Sequence, residues 1–209
     1  MRYRDDIDPS RTWIVSDTHW GHRNIAAFCH RPDGWEDLML ENIAREVPDD
    51  AGNTLLHLGD LSYRNNAMFR AVTSKHLPQA VRKLLIMGNH DRQRPSFYKN
   101  SGFKLARPFV LRWGDWDVSF SHYPWSEKDD GEATMPENHL RLHGHIHNNG
   151  YTRTAYVPFL KNHVNLSVEQ TKYKPVNLGL LLSAVIDGHY PEGEQLPDAD
   201  SVEKPSHHV

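Results

Sequence analysis

Five short apolar runs of this 209-residue chain are each followed closely by aspartate, asparagine or histidine. In open α/β sheets, ligands bind just beyond the carboxyl ends of the strands. We therefore expect the side chains that follow these runs to lie together. The runs are 13–15, 55–58, 84–87, 118–120 and 140–142, and the residues that follow them are Asp17 with His19, Asp60, Asn89, His122, and His145 with His147.

Strand-like and helix-like runs alternate in the first half of the chain, and strand-like runs dominate the second half. This order predicts a layered α/β body in which a βαβαβ unit precedes further strands. Predicted helices cover 24–30, 36–47, 66–76, 95–102 and 178–186, with Leu38, Ile43 and Val47 on one face of the second and Asn177 capping the last. Predicted strands cover 12–15, 54–58, 84–87, 105–112, 116–121, 140–143, 155–158 and 163–168, with a hairpin turn at 113–115.

Length and composition fit one globular domain. With 38% hydrophobic and 24% charged residues, the chain has the balance of a folded protein and not of a disordered one. The pattern changes after residue 190, where proline and acidic residues replace the periodic runs. We therefore predict a single domain over residues 1–190 and a disordered tail over residues 191–209.

Charge and cysteine content indicate where in the cell the protein works and which kinds of partner it binds. The formal net charge of −3 and the pI near 6.6 do not indicate general nucleic-acid binding. Cys29 is the only cysteine, the first ten residues lack the apolar core of a signal peptide, and no apolar run is long enough to span a bilayer. These features favour the cytoplasm and exclude a membrane partner, and they leave the oligomeric state open.

The residue types at the predicted strand ends suit a divalent metal ion. Carboxylate and imidazole groups without thiolates favour Mn, Fe, Zn, Ni or Co and argue against a structural zinc site. Asp17 and His19 can converge on one ion, whereas His145 and His147 could each serve a different ion of a pair. Each motif alone has an ordinary explanation, because Asp17 could start a turn and the later Gly-Asn pair could form one. Their order and shared chemistry favour the metal site.

These motifs form an ordered series: Asp17-x-His19, Gly59-Asp60, Gly88-Asn89-His90-Asp91, His122 and Gly144-His145-x-His147. The series resembles the calcineurin-like metallophosphoesterase superfamily. Segment 16–25 is similar to a small single-domain branch from bacteria and phages, and segment 165–175 resembles the C-terminal segment of that branch. The resemblance implies a layered α-β-β-α sandwich, with mixed sheets flanked by helices.

The resemblance also implies a dinuclear metal site in which Asp60 bridges the two ions. One ion would be held by Asp17, His19, Asp60 and His147. The other would be held by Asp60, Asn89, His122 and His145. Two divalent ions, two aspartates and one bridging hydroxide leave a residual charge of about +1, which attracts a phosphate ester. We infer in-line attack of the metal-bridging hydroxide on a phosphodiester or phosphomonoester, with manganese among the candidate metals.

Further residues are candidates for catalysis and substrate binding. The resemblance places His90 beside the substrate phosphate, as stabiliser of the transition state or as general acid. Asp91 either orients His90 or caps the following turn. Larger family members carry a second acid, which orients the catalytic histidine, where this chain has Tyr63. Candidate substrate contacts are His22, which could instead anchor the next helix, and Arg23 and Arg92, which could instead be solvated surface residues.

Three functions compete. The leading hypothesis is a hydrolase of phosphodiesters or phosphomonoesters, with a small molecule favoured over a polymer as substrate. A nuclease is the second, because the superfamily includes DNA-processing members, although the acidic balance argues against it. The third is a catalytically silent module that uses this fold to bind proteins. All seven ligand positions and His90 are intact, which argues against the silent module.

Overall fold

The computed structural model describes residues 1–63, 76–124, 137–148 and 162–187, which include two five-stranded sheets. Four α-helices and a 3-10 helix, Pro9–Arg11, accompany the sheets within these ranges. The helices are α1 (Ile25–Cys29), α2 (Trp35–Glu46), α3 (Pro95–Asn100) and α4 (Leu178–Asp187). The strands are β1 (Arg2–Tyr3), β2 (Thr12–Val15), β3 (Thr54–His57), β4 (Arg82–Ile86), β5 (Phe103–Ala106), β6 (Phe109–Trp113), β7 (Trp116–Phe120), β8 (His139–His143), β9 (His163–Asn165) and β10 (Val176–Asn177).

Both sheets are mixed, and this arrangement confirms the predicted α/β fold of mixed sheets flanked by helices. The first sheet has the strand order β1-β6-β7-β8-β9, and the second has the order β10-β2-β3-β4-β5. In the second sheet β2, β3, β4 and β5 are parallel, and only β10 is antiparallel to its neighbour. In the first sheet β7, β8 and β9 are parallel. The strands that precede the predicted ligands therefore end at a common edge within each sheet.

The second sheet is covered on both faces. Residues that follow each other in a strand point to opposite faces, so each strand contributes apolar side chains to both. Val15, Leu55 and Leu85 pack in one apolar cluster with residues of α1, α2 and α3. Their neighbours Ile14 and Leu56 pack in a second cluster with residues of β6, β7, β8 and α4. The core thus has one layer between a sheet and helices and another between the two sheets.

The helices follow local signals in the sequence. α2 begins after Gly34 and buries Trp35, Met39 and Ile43, which are spaced four residues apart and share one face. The prediction that Leu38 shares one face with Ile43 and Val47 is wrong, since Leu38 is 37% exposed and the other two residues are each 1% exposed. The predicted cap of α4 is confirmed, because the Asn177 side chain accepts a hydrogen bond from the backbone N–H of Leu180 at 3.1 Å.

The single strand predicted over 105–112 is wrong, because two strands of different sheets share this stretch. β5 ends at Ala106 in one sheet, and β6 begins at Phe109 in the other. Pro108 lies at the break, where it cannot donate a backbone hydrogen bond and restricts the residue before it. The predicted hairpin is confirmed, with Trp113 paired to Trp116 across the turn.

Several other predictions extend beyond the described residues. The helix predicted over 66–76 and the strand predicted over 155–158 lie outside them, apart from residue 76. The predicted tail 191–209 lies outside them as well, so the domain boundary stays a prediction. Among the described helices, none combines the length and the apolar character that crossing a membrane requires.

Candidate metal centre

The side chains predicted as metal ligands lie together beyond the strand ends. Asp17 and His19 follow β2, Asp60 follows β3, and His122 follows β7. The predicted ligands form two groups whose ligand atoms lie within 4.8 Å of one another. The groups are Asp17 with His19 and His147, and Asp60 with His122 and His145. The Asn89 side chain adjoins the second group, since its Oδ1 lies 3.0 Å from His122 Nε2.

Asp60 lies between the two groups. Its Oδ2 is 3.5 Å from His19 Nε2 and 3.5 Å from His122 Nε2. Its Oδ1 accepts a hydrogen bond from the backbone N–H of His90 at 2.8 Å. This bond fixes the carboxylate so that the other oxygen points toward both histidines. One oxygen shared by two histidines of separate groups is the arrangement that a bridging ligand requires.

The donor set fits a cation, because lone pairs face one another across the centre. His122 Nδ1 lies 3.0 Å from the carbonyl oxygen of Leu58, which can only accept, so this nitrogen carries the hydrogen. In the neutral ring, His122 Nε2 therefore points an unshared pair at the oxygens of Asp60 and Asn89. His19 Nε2 and a nitrogen of the facing His147 ring are 3.2 Å apart. Neutral rings in this arrangement would repel one another, and a cation among these atoms, either a metal ion or a proton, would relieve the repulsion.

The backbone at the predicted ligands is strained. Within the described ranges, nine non-glycine residues have a positive φ, and five of them are predicted ligands. Left-handed backbone costs a residue with a Cβ on the order of 1–2 kcal/mol, and such strain gathers at functional sites. The five are Asp17 (58°), His19 (51°), Asp60 (56°), His145 (75°) and His147 (50°).

Two glycines leave no room for a side chain beside the carboxylates. A Cβ on Gly88 would collide with Asp60 Oδ1 and lie 2.8 Å from the His122 ring. A Cβ on Gly144 would collide with the Ser16 hydroxyl and with Asp17 Oδ2. Both positions require glycine because the carboxylates pack directly on the backbone.

Electrostatic interactions keep both aspartates ionised. Burial alone would raise the pKa of Asp17, but His147 and His122 hold it below its usual value. Burial likewise opposes ionisation of Asp60, and without a metal ion a hydrogen bond from the protonated His122 ring keeps the pKa of Asp60 low. For His147, burial is outweighed by hydrogen bonds with Cys29 and Glu169 and by the charge of Asp17, which raise the pKa to about 10. Burial is also outweighed at His122, where the Asp60 hydrogen bond and the charge of Asp17 raise the pKa. In the absence of a metal ion, protons on His147 and His122 therefore supply the positive charge that the aspartates attract.

A second layer of side chains holds the first group, and the sequence motifs did not reveal it. The Ser167 hydroxyl donates to Asp17 Oδ2 at 3.0 Å. The carboxylate of Glu169 lies 3.1 Å from His147 Nδ1 and is paired with the buried Arg31. Ser167 and Glu169 both fall in segment 165–175. The resemblance of that segment to a known branch of the family was the one sequence signal that pointed to them.

Aromatic rings surround His90, the predicted catalytic residue. The ring of Tyr63 lies 4.1 Å from the His22 ring and 5.5 Å from the His90 ring, measured between centroids. The His19 ring is 5.0 Å from the His90 ring. Burial lowers the pKa of His90 despite the nearby charge of Asp60, so its ring is neutral at pH 7. The ring of Tyr63 thus lies near the His90 ring, at the position where the family resemblance predicts an acid in larger members.

Asp91 contacts the Asp60 loop instead of the His90 ring. Its Oδ2 accepts hydrogen bonds from the backbone N–H groups of Gly88 and Asp60 at 2.9 and 2.8 Å. Its Oδ1 accepts another from the backbone N–H of Leu61 at 3.0 Å. His90 Nδ1 has no hydrogen-bond partner among the described residues, so Asp91 does not orient it through that atom. Asp91 joins two ligand-bearing loops, a wider role than capping one turn.

The remaining predicted substrate residues lie around this cluster. His22 packs against Tyr63 and has a ring centroid 5.9 Å from that of His90. Arg23 is exposed just before α1. Arg92 is exposed and donates from Nε to the backbone carbonyl of Asn89 at 3.0 Å. Contact between these three side chains and a substrate stays a prediction.

The chain is similar to known proteins in sequence and in fold. A family model described as calcineurin-like phosphoesterase matches residues 10–204. The chain is 26% identical over 184 residues to the uncharacterized protein MJ1445 of Methanocaldococcus jannaschii, covering 85% of this chain and 93% of that protein. It is 27% identical over 159 residues to the Gene 66 protein of Mycobacterium phage D29, covering 66% and 79%. The solved structure of AQ665, a protein of unknown function from Aquifex aeolicus, is similar with 25% identity and a TM-score of 0.60, covering 79% and 94%.

Proposed function

Because the chain belongs to the calcineurin-like phosphoesterase family, we propose that it hydrolyses phosphodiesters or phosphomonoesters through two divalent metal ions. The observation that carries the proposal is the position of Asp60 Oδ2, 3.5 Å from a histidine of each ligand group. A carboxylate oxygen in that position suits a bridge between two ions. A small phosphate ester is the proposed substrate, since the net charge of −3 does not favour a polyanion.

The proposed ligand sets follow the two groups of side chains. One ion would be held by Asp17, His19, Asp60 and His147, and the other by Asp60, Asn89, His122 and His145. When bound, two such ions acidify a water molecule and stabilise charge on the attacking and leaving oxygens. Mn, Fe, Zn, Ni and Co all suit these nitrogen and oxygen ligands.

The chain itself would position the phosphate and donate hydrogen bonds to it. The backbone N–H of His90 fixes Asp60, while the His90 ring lies beside the first ligand group. Because the pKa of His90 is lowered, its neutral ring would donate a hydrogen bond to a phosphate oxygen. Of the two roles expected for His90, transition-state stabiliser and general acid, this is the stabiliser. His22, with its ring near that of His90, would line the same side of the substrate.

The proposal is tested with metal-stripped protein and two chromogenic substrates, a p-nitrophenyl diester and a p-nitrophenyl monoester. Mn, Fe, Zn, Ni, Co and Mg are restored one at a time. Asp60→Asn removes the proposed bridge, and Asp33→Asn, at an exposed position, is its matched control. His90→Asn removes the hydrogen-bond donor, and His30→Asn, also exposed, is its control.

We expect turnover to return with metal, to fall at least a hundredfold in Asp60→Asn and His90→Asn, and to persist in both controls. The ratio of the two rates measures the preference between diester and monoester. Equal turnover in Asp60→Asn and wild type would refute the proposed bridge. Two ions bound without turnover on either substrate would favour a silent binding module, and cleavage of single-stranded DNA alone would favour a nuclease.

A further inference from the structure

The imidazole of His147 has a different partner on each of its two nitrogens. Nε2 lies 3.7 Å from Asp17 Oδ1 and 3.2 Å from His19 Nε2, where the first ion is proposed. Nδ1 points away from the ion position and is 3.1 Å from both oxygens of Glu169. Because an ionised carboxylate only accepts hydrogen bonds, Nδ1 carries the hydrogen and donates it to Glu169. The lone pair of the neutral ring is thus on Nε2, toward the proposed ion.

Glu169 is in turn held by Arg31. The guanidinium donates from Nε to Glu169 Oε1 at 2.8 Å, and its Nη2 lies 2.6 Å from the same oxygen. The side chains of Arg31 and Glu169 are 0% and 4% exposed, so the pair is shielded from water. A planar guanidinium with two nitrogens on one carboxylate has little freedom to rotate.

The same guanidinium also holds the backbone of the first ligand loop. Nη1 donates to the carbonyl oxygen of Thr18 at 2.9 Å, and Nη2 donates to the carbonyl oxygen of Asp17 at 2.7 Å. The Arg31 side chain is packed over the Trp35 ring, 4.4 Å from its centroid. One buried cation therefore connects the support of His147 with the turn that carries Asp17.

Cys29 raises an alternative, a third metal ion behind His147. Ligand atoms of Cys29, His147 and Glu169 lie within 4.8 Å of one another. An ion on Nδ1 of His147, however, would move the ring hydrogen to Nε2 and block the first ion position. The Arg31 guanidinium also brings a positive charge to within 2.6 Å of the same carboxylate, which opposes a cation there. Both features favour a supporting role over a third ion.

Building on the proposed function, we infer that Glu169 and Arg31 are positioning residues for the ion at Asp17 and His19. Glu169 keeps the hydrogen of His147 on Nδ1 and orients the ring, and Arg31 keeps Glu169 in place. Removing a carboxylate behind a metal-binding histidine typically lowers metal affinity by about 10- to 100-fold. Asn89 and His122 make no recorded hydrogen bond or ion pair with Arg31 or Glu169 among the described residues, so the affinity of an ion held by Asn89 and His122 would change little.

The inference is tested by titrating the metal-stripped full chain with Co²⁺, using calorimetry for affinity and visible absorption for coordination. Glu169→Gln keeps the side-chain shape but loses the charge, and Glu169→Asp restores the charge on a shorter side chain. Glu41→Gln on the exposed face of α2 is the matched control. Arg31→Lys keeps the charge but loses the planar donors. Thermal unfolding of each metal-free variant measures any general loss of structure.

We expect one of the two Co²⁺ affinities of Glu169→Gln to fall 10- to 100-fold, with a changed absorption spectrum and partial rescue in Glu169→Asp. Wild-type affinity at both sites, or equal weakening of both together with a lower melting temperature, would overturn the inference. A third equivalent of Co²⁺ that disappears in Cys29→Ser would overturn it in favour of the third ion. Absent ester hydrolysis with two ions bound would refute the proposed function alone, and a wild type that binds no Co²⁺ would refute both.

Discussion

Replacing Gly144 by alanine tests whether the Asp17 carboxylate is packed directly on the backbone. The new Cβ would collide with the Ser16 hydroxyl and Asp17 Oδ2, and it would lie 2.8 Å from the Ser16 Cβ. Ser16 and Asp17 are both 0% exposed, so neither can turn into solvent. Asp17 Oδ2 is also held by the Ser167 hydroxyl and by the backbone N–H of His145, each at 3.0 Å. The collision must therefore displace a proposed ligand.

Overpacking of a tightly packed site costs about 1–3 kcal/mol. In a chain of about 200 residues, each kcal/mol lowers the melting temperature by roughly 2–4 °C, so Gly144→Ala should lower it by about 2–12 °C. The displaced carboxylate should also lower the affinity of the first ion by about tenfold or more, since even supporting residues have effects of that size. The loss of metal affinity is the specific part of the prediction.

Thermal unfolding of the metal-free protein and Co²⁺ titration measure the two effects. Gly114→Ala in the turn between β6 and β7 is the control, because a Cβ there meets no atom within 4 Å. Its positive φ of 54° still costs about 1 kcal/mol, so the control should lose some stability and no metal affinity. Gly144→Ala with wild-type Co²⁺ affinity and no greater instability than Gly114→Ala would refute this account of the carboxylate.

Three further predictions concern the support of the site and the core. Asp91→Ala should lower the free energy of unfolding by about 3 kcal/mol in urea, because three buried backbone N–H groups lose their acceptor; a loss below 1 kcal/mol would contradict this. Burial lowers the pKa of His57 to about 3 in the folded state, below the value of about 6.5 in the unfolded chain. The neutral His57 ring therefore contributes fully to the free energy of unfolding above about pH 6.5, and this contribution declines as the pH falls and the unfolded chain takes up a proton. Metal-free protein should thus lose roughly 3 kcal/mol between pH 6.5 and about pH 4 through this group, and an unchanged pH profile in His57→Gln would count against it. Leu56→Ala, 0% exposed between the sheets, should cost about 2–5 kcal/mol in urea unfolding, against less than about 1 kcal/mol for the more exposed Leu38→Ala.

The sequence predicted the strands of the parallel regions and the side chains that follow them. Strands such as 13–15 and 55–58 are short apolar runs, which are a local sequence signal. In parallel strands the ligands lie beyond the carboxyl end, so the chain direction shows where to look for them. Boundaries were less well predicted where the chain changes sheet. At Pro108 two strands of opposite sheets follow each other directly, and hydrophobicity alone does not mark the change.

Residue types and their order along the chain determined the family and the candidate ligands, because those signals are local. Only the tertiary structure decided how the ligands are supported. Arg31 and Glu169 are 138 positions apart, and their contact depends on how the loop after β9 packs against the turn after α1. Asp91 could be assigned to the Asp60 loop only once β3 and β4 were adjacent. Such contacts join segments that are distant in the sequence and share no periodic pattern. They therefore cannot be predicted from local sequence signals and are recognised only in the folded chain.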